Sequence, residues 1–260
     1  MVIAELDQII SLLEARLPCN INSPENQRLE KRLQRDLAKY FKSLEDAFPY
    51  SELDSIYFKY VKEQLGAETG DIIDALIRAF GSGFITMLEG HLTTIYLDGV
   101  VQMVSWGTTK AGIPITYEGP PIEQAVDYAG KHGAKLVTQM NEETKRRLAQ
   151  VVSDGIKNKR GIPGLQRDIR KSFTDMSRTR ANMIARTETN DALSQAFQDK
   201  CKDMGIEARE VNTGANPCPL CLDNAGAGVV PWTQAFPSGD MRTPFHPNCA
   251  CSLSPVMLKK

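Results

Sequence analysis

After Gly205 the helical periodicity stops, and four cysteines and a histidine fall in two tight groups. These are Cys218-Pro-Leu-Cys221 and, after twenty-four intervening residues, His246-Pro-Asn-Cys249-Ala-Cys251. Most of the stretch between them, NAGAGVVPWTQAFPSGDMRTPF, has too few apolar side chains to fold by burial alone. A bound metal ion would supply the missing folding energy. Two cysteines separated by two residues reach one ion from a tight turn, and zinc takes four thiolate or imidazole ligands in a tetrahedron. Five candidates then compete for four positions: Cys218, Cys221 and His246, with either Cys249 or Cys251 as the fourth. Trp232 and Phe236 are expected to pack on this knuckle. Three other readings are open: buried unligated thiols, one or two disulfides, or a catalytic ion. A catalytic zinc needs an open position and a general base. Asp223 and Asp240 are the nearby acids, and neither stands in a known catalytic arrangement.

The remaining cysteines, Cys19 and Cys201, have no partners near in sequence and read as small core or surface residues. The N-terminus, MVIAELDQIISLLEARL, lacks the basic start and continuous apolar run of a signal peptide, so a reducing compartment is expected. Within 260 residues, no apolar stretch reaches the ~18 residues of a membrane span. With 42% hydrophobic and 24% charged residues, the composition excludes a mainly disordered chain, a collagen and a coiled-coil rod.

Periodicity predicts a mainly α protein: an N-terminal helical region over 1–94, then a C-terminal helical domain over 122–260. That domain is expected to end in a small irregular zinc-held subdomain with short strands, at 206–256. A first helix carries Leu6, Ile9, Ile10, Leu13 and Leu17. A second starts at Ser23 with Pro24 in its first turn and ends by Pro49. Two more are expected at about 51–64 and 69–88. Between them and the C-terminal domain, 95–121 is rich in Val, Ile, Thr, Tyr and Gly and reads as an extended linker or hairpin. Beyond it, Ile122, Ala125, Val126 and Ala129 form a stripe ending at Gly130 or Gly133. Asn141 caps a helix over 144–156. Leu165, Ile169 and Phe173 line a short helix, and a longer one runs from Ser177 to Asp203, where Gly205 stops it.

The net charge of −1 hides a segregation. Lys145 to Arg186 holds twelve basic and three acidic residues, net +9, which leaves −10 for the rest. Lys145, Arg146, Arg147, Lys157, Lys159, Arg160, Arg167, Arg170 and Lys171 are candidates to lie along a phosphate backbone, without base specificity. A solvated helical face, or a surface for an acidic protein, accounts for the same block. In the following helix, Arg186 and Glu188 are two residues apart and do not face each other. Each is expected to pair with something distant, Arg186 with a carboxylate or carbonyl.

The order of these pieces resembles the C-terminal domain of the phage Mu F-like minor head proteins, the phage head morphogenesis family. The helix near ETKRRLAQVV is followed by LQRDIRKSF, RANMIARTETNDALSQAF, CPLC and HPNCAC. The resemblance covers about 120–256. It implies a non-enzymatic minor capsid protein in the virion, made in the host cytoplasm and acting at or near the portal vertex in head assembly or genome packaging and delivery. The implied partners are the portal protein and the major capsid protein. On this resemblance Arg186 and Glu188 hold the domain core or a contact, and the cysteine–histidine set holds structural zinc. Some relatives carry a toxin domain after the cysteine module; here nine residues follow Cys251, so none is expected. Two other functions compete. A metal-dependent nuclease would draw on the basic segment, but with His246 as a ligand only His91 and His132 remain as bases. A DNA-binding regulator with a zinc knuckle would need a recognition helix, and no helix-turn-helix pattern is found.

Overall fold

Ser23 begins the first helix: its hydroxyl accepts the Asn26 backbone N–H at 3.2 Å, and Pro24, with no N–H to satisfy, occupies the first helical position. This computed structural model describes residues 17–54, 68–115, 119, 121–158 and 160–257. The expected helix over Leu6–Leu17 falls almost wholly outside them, as does most of that at 51–64. The helix opened by Ser23, α1, spans Pro24–Asp46 and buries Leu33, Leu37, Tyr40, Phe41 and Leu44 at three- and four-residue steps.

The next helix, α2, runs over Glu68–Thr109. It overturns the extended reading of 95–121, since that stretch is helical to Thr109. Leu88, Leu92, Ile95, Tyr96, Val100 and Met103 are all buried at helical spacing. Burial along a helical stripe outweighs the β-propensity of single Val, Ile and Tyr residues, which is a weak and context-dependent preference. Beyond Thr109, Gly112 turns the chain with φ +63.

Helix α3 covers Ile122–Lys157 without a break, so neither Gly130 nor Gly133 ends it and Asn141 caps nothing. Asn141 lies mid-helix and accepts the Tyr40 hydroxyl at 3.4 Å. Gly130 and Gly133 cost roughly 1 kcal/mol each in the helix interior. Leu136, Val137, Met140, Leu148 and Val152 are buried along the same helix and offset that cost. The expected stripe is half right: Ala125 and Ala129 are buried, whereas Ile122 and Val126 are exposed.

Helix α4, Ile162–Asp175, buries Leu165, Ile169 and Phe173 as its pattern predicts. No new helix begins at Ser177. A π turn, Met176–Arg180, joins α4 directly to α5, Ala181–Asp203. The wide turn brings Arg180 inside, where it donates to Thr144 Oγ1 at 2.8 Å and to the Met140 carbonyl at 3.0 Å. Gly205, at φ +68, then ends α5. The Ile206 N–H returns to the Cys201 carbonyl at 2.8 Å and Ile206 is buried, the pattern of a glycine-terminated helix end.

The remainder is a three-stranded antiparallel sheet and one short helix. Strand β1 (Ala208–Asn212) lies between β2 (Val230–Pro231) and β3 (Ser252–Val256), with Ala208 opposite Val256 and Asn212 opposite Ser252. Helix α6 spans Pro219–Gly226. The protein is thus mainly helical, with a small C-terminal sheet beside the cysteine–histidine cluster. No helix among the described residues is long and apolar enough to cross a membrane.

The described residues divide into two compact units that are discontinuous in sequence. One takes residues up to Gln34, Gly90–Tyr128 and those from Met183 on; the other takes Arg35–Glu89 and Ala129–Asn182. Neither coincides with 1–94 or 122–260. In the first, Tyr96, Val100, Ala125 and Ala196 form a buried cluster. A Cβ on Gly99 would stand 2.9 Å from Ala196 Cβ, so glycine lets α2 and α5 approach closely there. In the second unit, Tyr40 stacks on Phe84 at 3.8 Å between ring centroids, and Phe48 meets Phe173 edge-on at 5.9 Å.

Candidate metal centre

Cys218 is the N-cap of α6 and Pro219 its first residue, so the Cys-Pro-Leu-Cys segment is a helix start. The Leu222 N–H closes the first turn on the Cys218 carbonyl at 3.0 Å, which brings the Cys218 and Cys221 side chains to one end of the helix. The second group is also a turn. The Cys249 N–H bonds the His246 carbonyl at 3.2 Å, Pro247 takes the second position, and Asn248 takes the third with φ +62. This is the residue pattern of a type II turn, where asparagine tolerates the left-handed conformation.

The two turns meet in two triads that share Cys221: Cys218, Cys221 and His246, and Cys221, Cys249 and Cys251. His246 Nε2 is 3.2 Å from Cys221 Sγ and 3.4 Å from Cys218 Sγ, and Cys221 Sγ is 3.8 Å from Cys249 Sγ. His246 Nδ1 donates to the Pro247 carbonyl at 2.8 Å, which leaves the Nε2 lone pair facing the sulfurs. All five sequence-predicted ligands are therefore gathered, and together they could hold a metal ion such as zinc. The thiols differ. The Cys251 thiol donates to Cys249 and draws the Cys249 thiol down to about 5, against the cost of burial. The same bond, with burial, pushes Cys251 up. Burial raises Cys221 to about 12. A sulfur already favouring the thiolate form is a ready metal ligand.

Helix α5 holds the second turn from outside. Asn190 Nδ2 donates to the Cys249 carbonyl at 3.0 Å and to the Cys251 carbonyl at 2.9 Å. Asn22 Nδ2 takes the carbonyl between them, Ala250, at 2.9 Å. Thr187 Oγ1 accepts the Asn248 N–H at 2.8 Å. Arg186 finds its distant carboxylate in Glu30, at 3.0 Å, and also donates to Asn22 Oδ1 at 2.6 Å. Glu188 is buried on the same helix. Gly214 presses on the ligand turn: a Cβ there would lie 2.6 Å from Ala250 Cβ.

No protein-family model, no curated protein and no solved structure matches this chain.

Trp232 and Phe236 do not simply cover the knuckle. They flank the guanidinium of Arg209, at 4.5 and 4.4 Å from the ring centroids. Arg209 is wholly buried and donates to four backbone carbonyls, those of Val230, Pro231, Gln234 and Met241. It orders the apolar-poor loop between the two ligand groups. One arginine in a five-residue strand carries no sequence signal of such a role. Asn190 left a faint one, because Thr187, Asn190 and Ser194 make a polar stripe at helical spacing along a buried face.

The basic segment is largely neutralised locally. Arg146 and Arg147 both bond Glu143 at 2.7 Å, Lys145 pairs with Asp74, and Arg160 lies 3.2 Å from Asp168. Arg170 sits over the Tyr50 ring at 4.1 Å and 4.0 Å from Glu45. Lys157, Arg167 and Lys171 are exposed, and Lys159 lies outside the described residues.

Proposed function

We propose that this chain is a non-enzymatic minor head protein of a tailed phage, whose C-terminal module is held by one structural zinc and which docks at the portal vertex. The observation that carries the reading is the joining of its two most specific segments. The RTETN run of α5 grips the backbone of the NCAC turn, so the residues behind the family resemblance act as one structural unit. A zinc filled by four protein ligands has no open position for substrate and serves folding. The zinc ligands are Cys218, Cys221, His246 and Cys249. Zinc–sulfur bonds of ~2.3 Å and zinc–nitrogen bonds of ~2.0 Å imply tetrahedral edges of about 3.8 Å between sulfurs and about 3.5 Å between sulfur and nitrogen. Three of the six separations, 3.8, 3.4 and 3.2 Å, lie close to these edges, and Cys249 joins the other donors through Cys221. Cys251 then supports Cys249 as a hydrogen-bond donor. Exposed Arg167 and Lys171 leave room for non-specific contact with packaged DNA.

Co-expression with the portal protein of the same phage, followed by size exclusion and zinc quantification, tests this. A stable complex with about one zinc per chain is expected, and Cys249→Ser loses the metal while Cys251→Ser keeps it. A zinc-bearing chain that elutes apart from the portal overturns the docking. A chain that folds without metal overturns the structural zinc.

A further inference from the structure

Three consecutive carbonyls, those of Cys249, Ala250 and Cys251, are each held by a side-chain amide, and the two asparagines responsible are 168 positions apart in the chain. We infer that Asn190 and Asn22 are positioning residues of the metal centre, fixing the ligand turn so that its sulfurs face the ion before the ion arrives. The inference rests on the zinc reading above and concerns what sets the affinity of that site.

The orientation of Asn190 is determined by its other end. Thr243 Oγ1 donates to Asn190 Oδ1 at 3.2 Å, and Ser194 Oγ lies 3.4 Å from the same oxygen. With its carbonyl committed to hydroxyls, the Asn190 amide must point its two hydrogens at the turn. Asn22 is fixed in the same way, because its Oδ1 accepts from Arg186 at 2.6 Å, which leaves Nδ2 for Ala250. Asn190 and Ser194 are buried, so no water replaces a missing bond at low cost. Both amides act on the main chain that carries the sulfurs. Outer partners that orient ligands in this way typically change metal affinity by ~10–100-fold when removed.

Full-length wild type and the variants Asn190→Asp, Asn190→Ala and Asn22→Ala would be loaded with zinc and titrated against a chromophoric chelator. Cobalt(II) substitution would report the geometry through its visible bands. Asn190→Asp keeps the shape but removes both donors. Zinc affinity about 10–100-fold weaker in each variant is expected, with a displaced cobalt spectrum and four ligands retained. Gln102→Ala, which removes bonds to Asn26 and the Cys19 N–H in the same unit away from the cluster, is expected to lower the melting temperature without moving the affinity. If a variant does not fold without metal, the rate of zinc release from the loaded chain gives the same comparison, with faster release expected. Wild-type affinity and spectrum in Asn190→Asp and Asn22→Ala would overturn the inference. Failure of wild type itself to bind zinc would instead overturn the reading on which it rests.

Discussion

The Arg186 guanidinium lies 3.0 Å from the Glu30 carboxylate, a pair 156 residues apart that ties α5 to α1 within one compact unit. Both side chains are largely shielded, at 18% and 10% exposure. Burial raises the Glu30 carboxyl above its ordinary value even though Arg186 pulls it down. Arg186→Met would leave that carboxylate without its partner, at a cost of about 3 kcal/mol, whereas Arg186→Met with Glu30→Leu would recover most of it. The sign of the pH dependence follows. A carboxyl raised on folding favours the folded state most at low pH and less as pH rises past its ordinary value. The single variant should therefore lose more stability, relative to wild type, at about pH 7.5 than at about pH 5. Urea unfolding at both values measures this; a pH-independent loss would show that Glu30 is not the cause.

Arg209 satisfies four carbonyls at once, so removing it orphans several buried acceptors. Each costs roughly 1–3 kcal/mol. Arg209→Met should destabilise the C-terminal module by more than about 3 kcal/mol. Arg209→Lys should do little better, because an ammonium has neither the fork nor the flat face that lies between Trp232 and Phe236. Thermal unfolding of the zinc-loaded chain, followed by tryptophan fluorescence, would reveal it, and a wild-type melt in Arg209→Lys would refute the role given to the fork.

Two glycines should respond oppositely to alanine. At Gly214 the new methyl would meet Ala250 Cβ at 2.6 Å and its carbonyl oxygen at 2.7 Å, forcing the ligand turn to move. A loss of about 1–3 kcal/mol is expected. At Gly90, inside α2, nothing lies within 4 Å, and alanine should stabilise by roughly 0.4–1 kcal/mol through the unfolded state. Paired denaturation curves decide; equal effects at both sites would contradict the close approach at Gly214.

Glu143 is held down to about 2, chiefly by its hydrogen bond from Arg146, with desolvation working against it and Arg147 adding to the pull. Its contribution is complete above the ordinary carboxylate range and is lost as pH falls toward about 2. The pair is exposed and screened by solvent, so the contribution is small. Glu143→Gln would release two guanidinium groups. If this face touches phosphate, non-specific DNA binding should strengthen and its salt dependence should steepen in electrophoretic shifts. Unchanged binding would place DNA contact elsewhere.

Much of this architecture was written in local pattern. Ser23-Pro24 marked a helix start, Leu165, Ile169 and Phe173 marked a buried stripe, and Gly205 marked a helix end, because caps, stripes and left-handed glycines act over a few residues. By contrast, 95–109, Gly130, Gly133 and Asn141 lie inside long helices against their local pattern. In each, a β-prone or helix-breaking residue was overruled by burial along a long helix, which no short window contains.

For the candidate metal centre, the sequence alone named the five candidate donors, since thiolates and imidazole are metal ligands by chemistry and CPLC and HPNCAC space them closely. Tertiary structure decided what holds those donors in place. Asn22, Asn190, Arg186 and Arg209 are ordinary polar residues in sequence, and their roles arise only when a buried main-chain carbonyl needs a donor. That need is met by whatever the fold brings within about 3 Å, here from segments as far apart as Asn22 and Ala250.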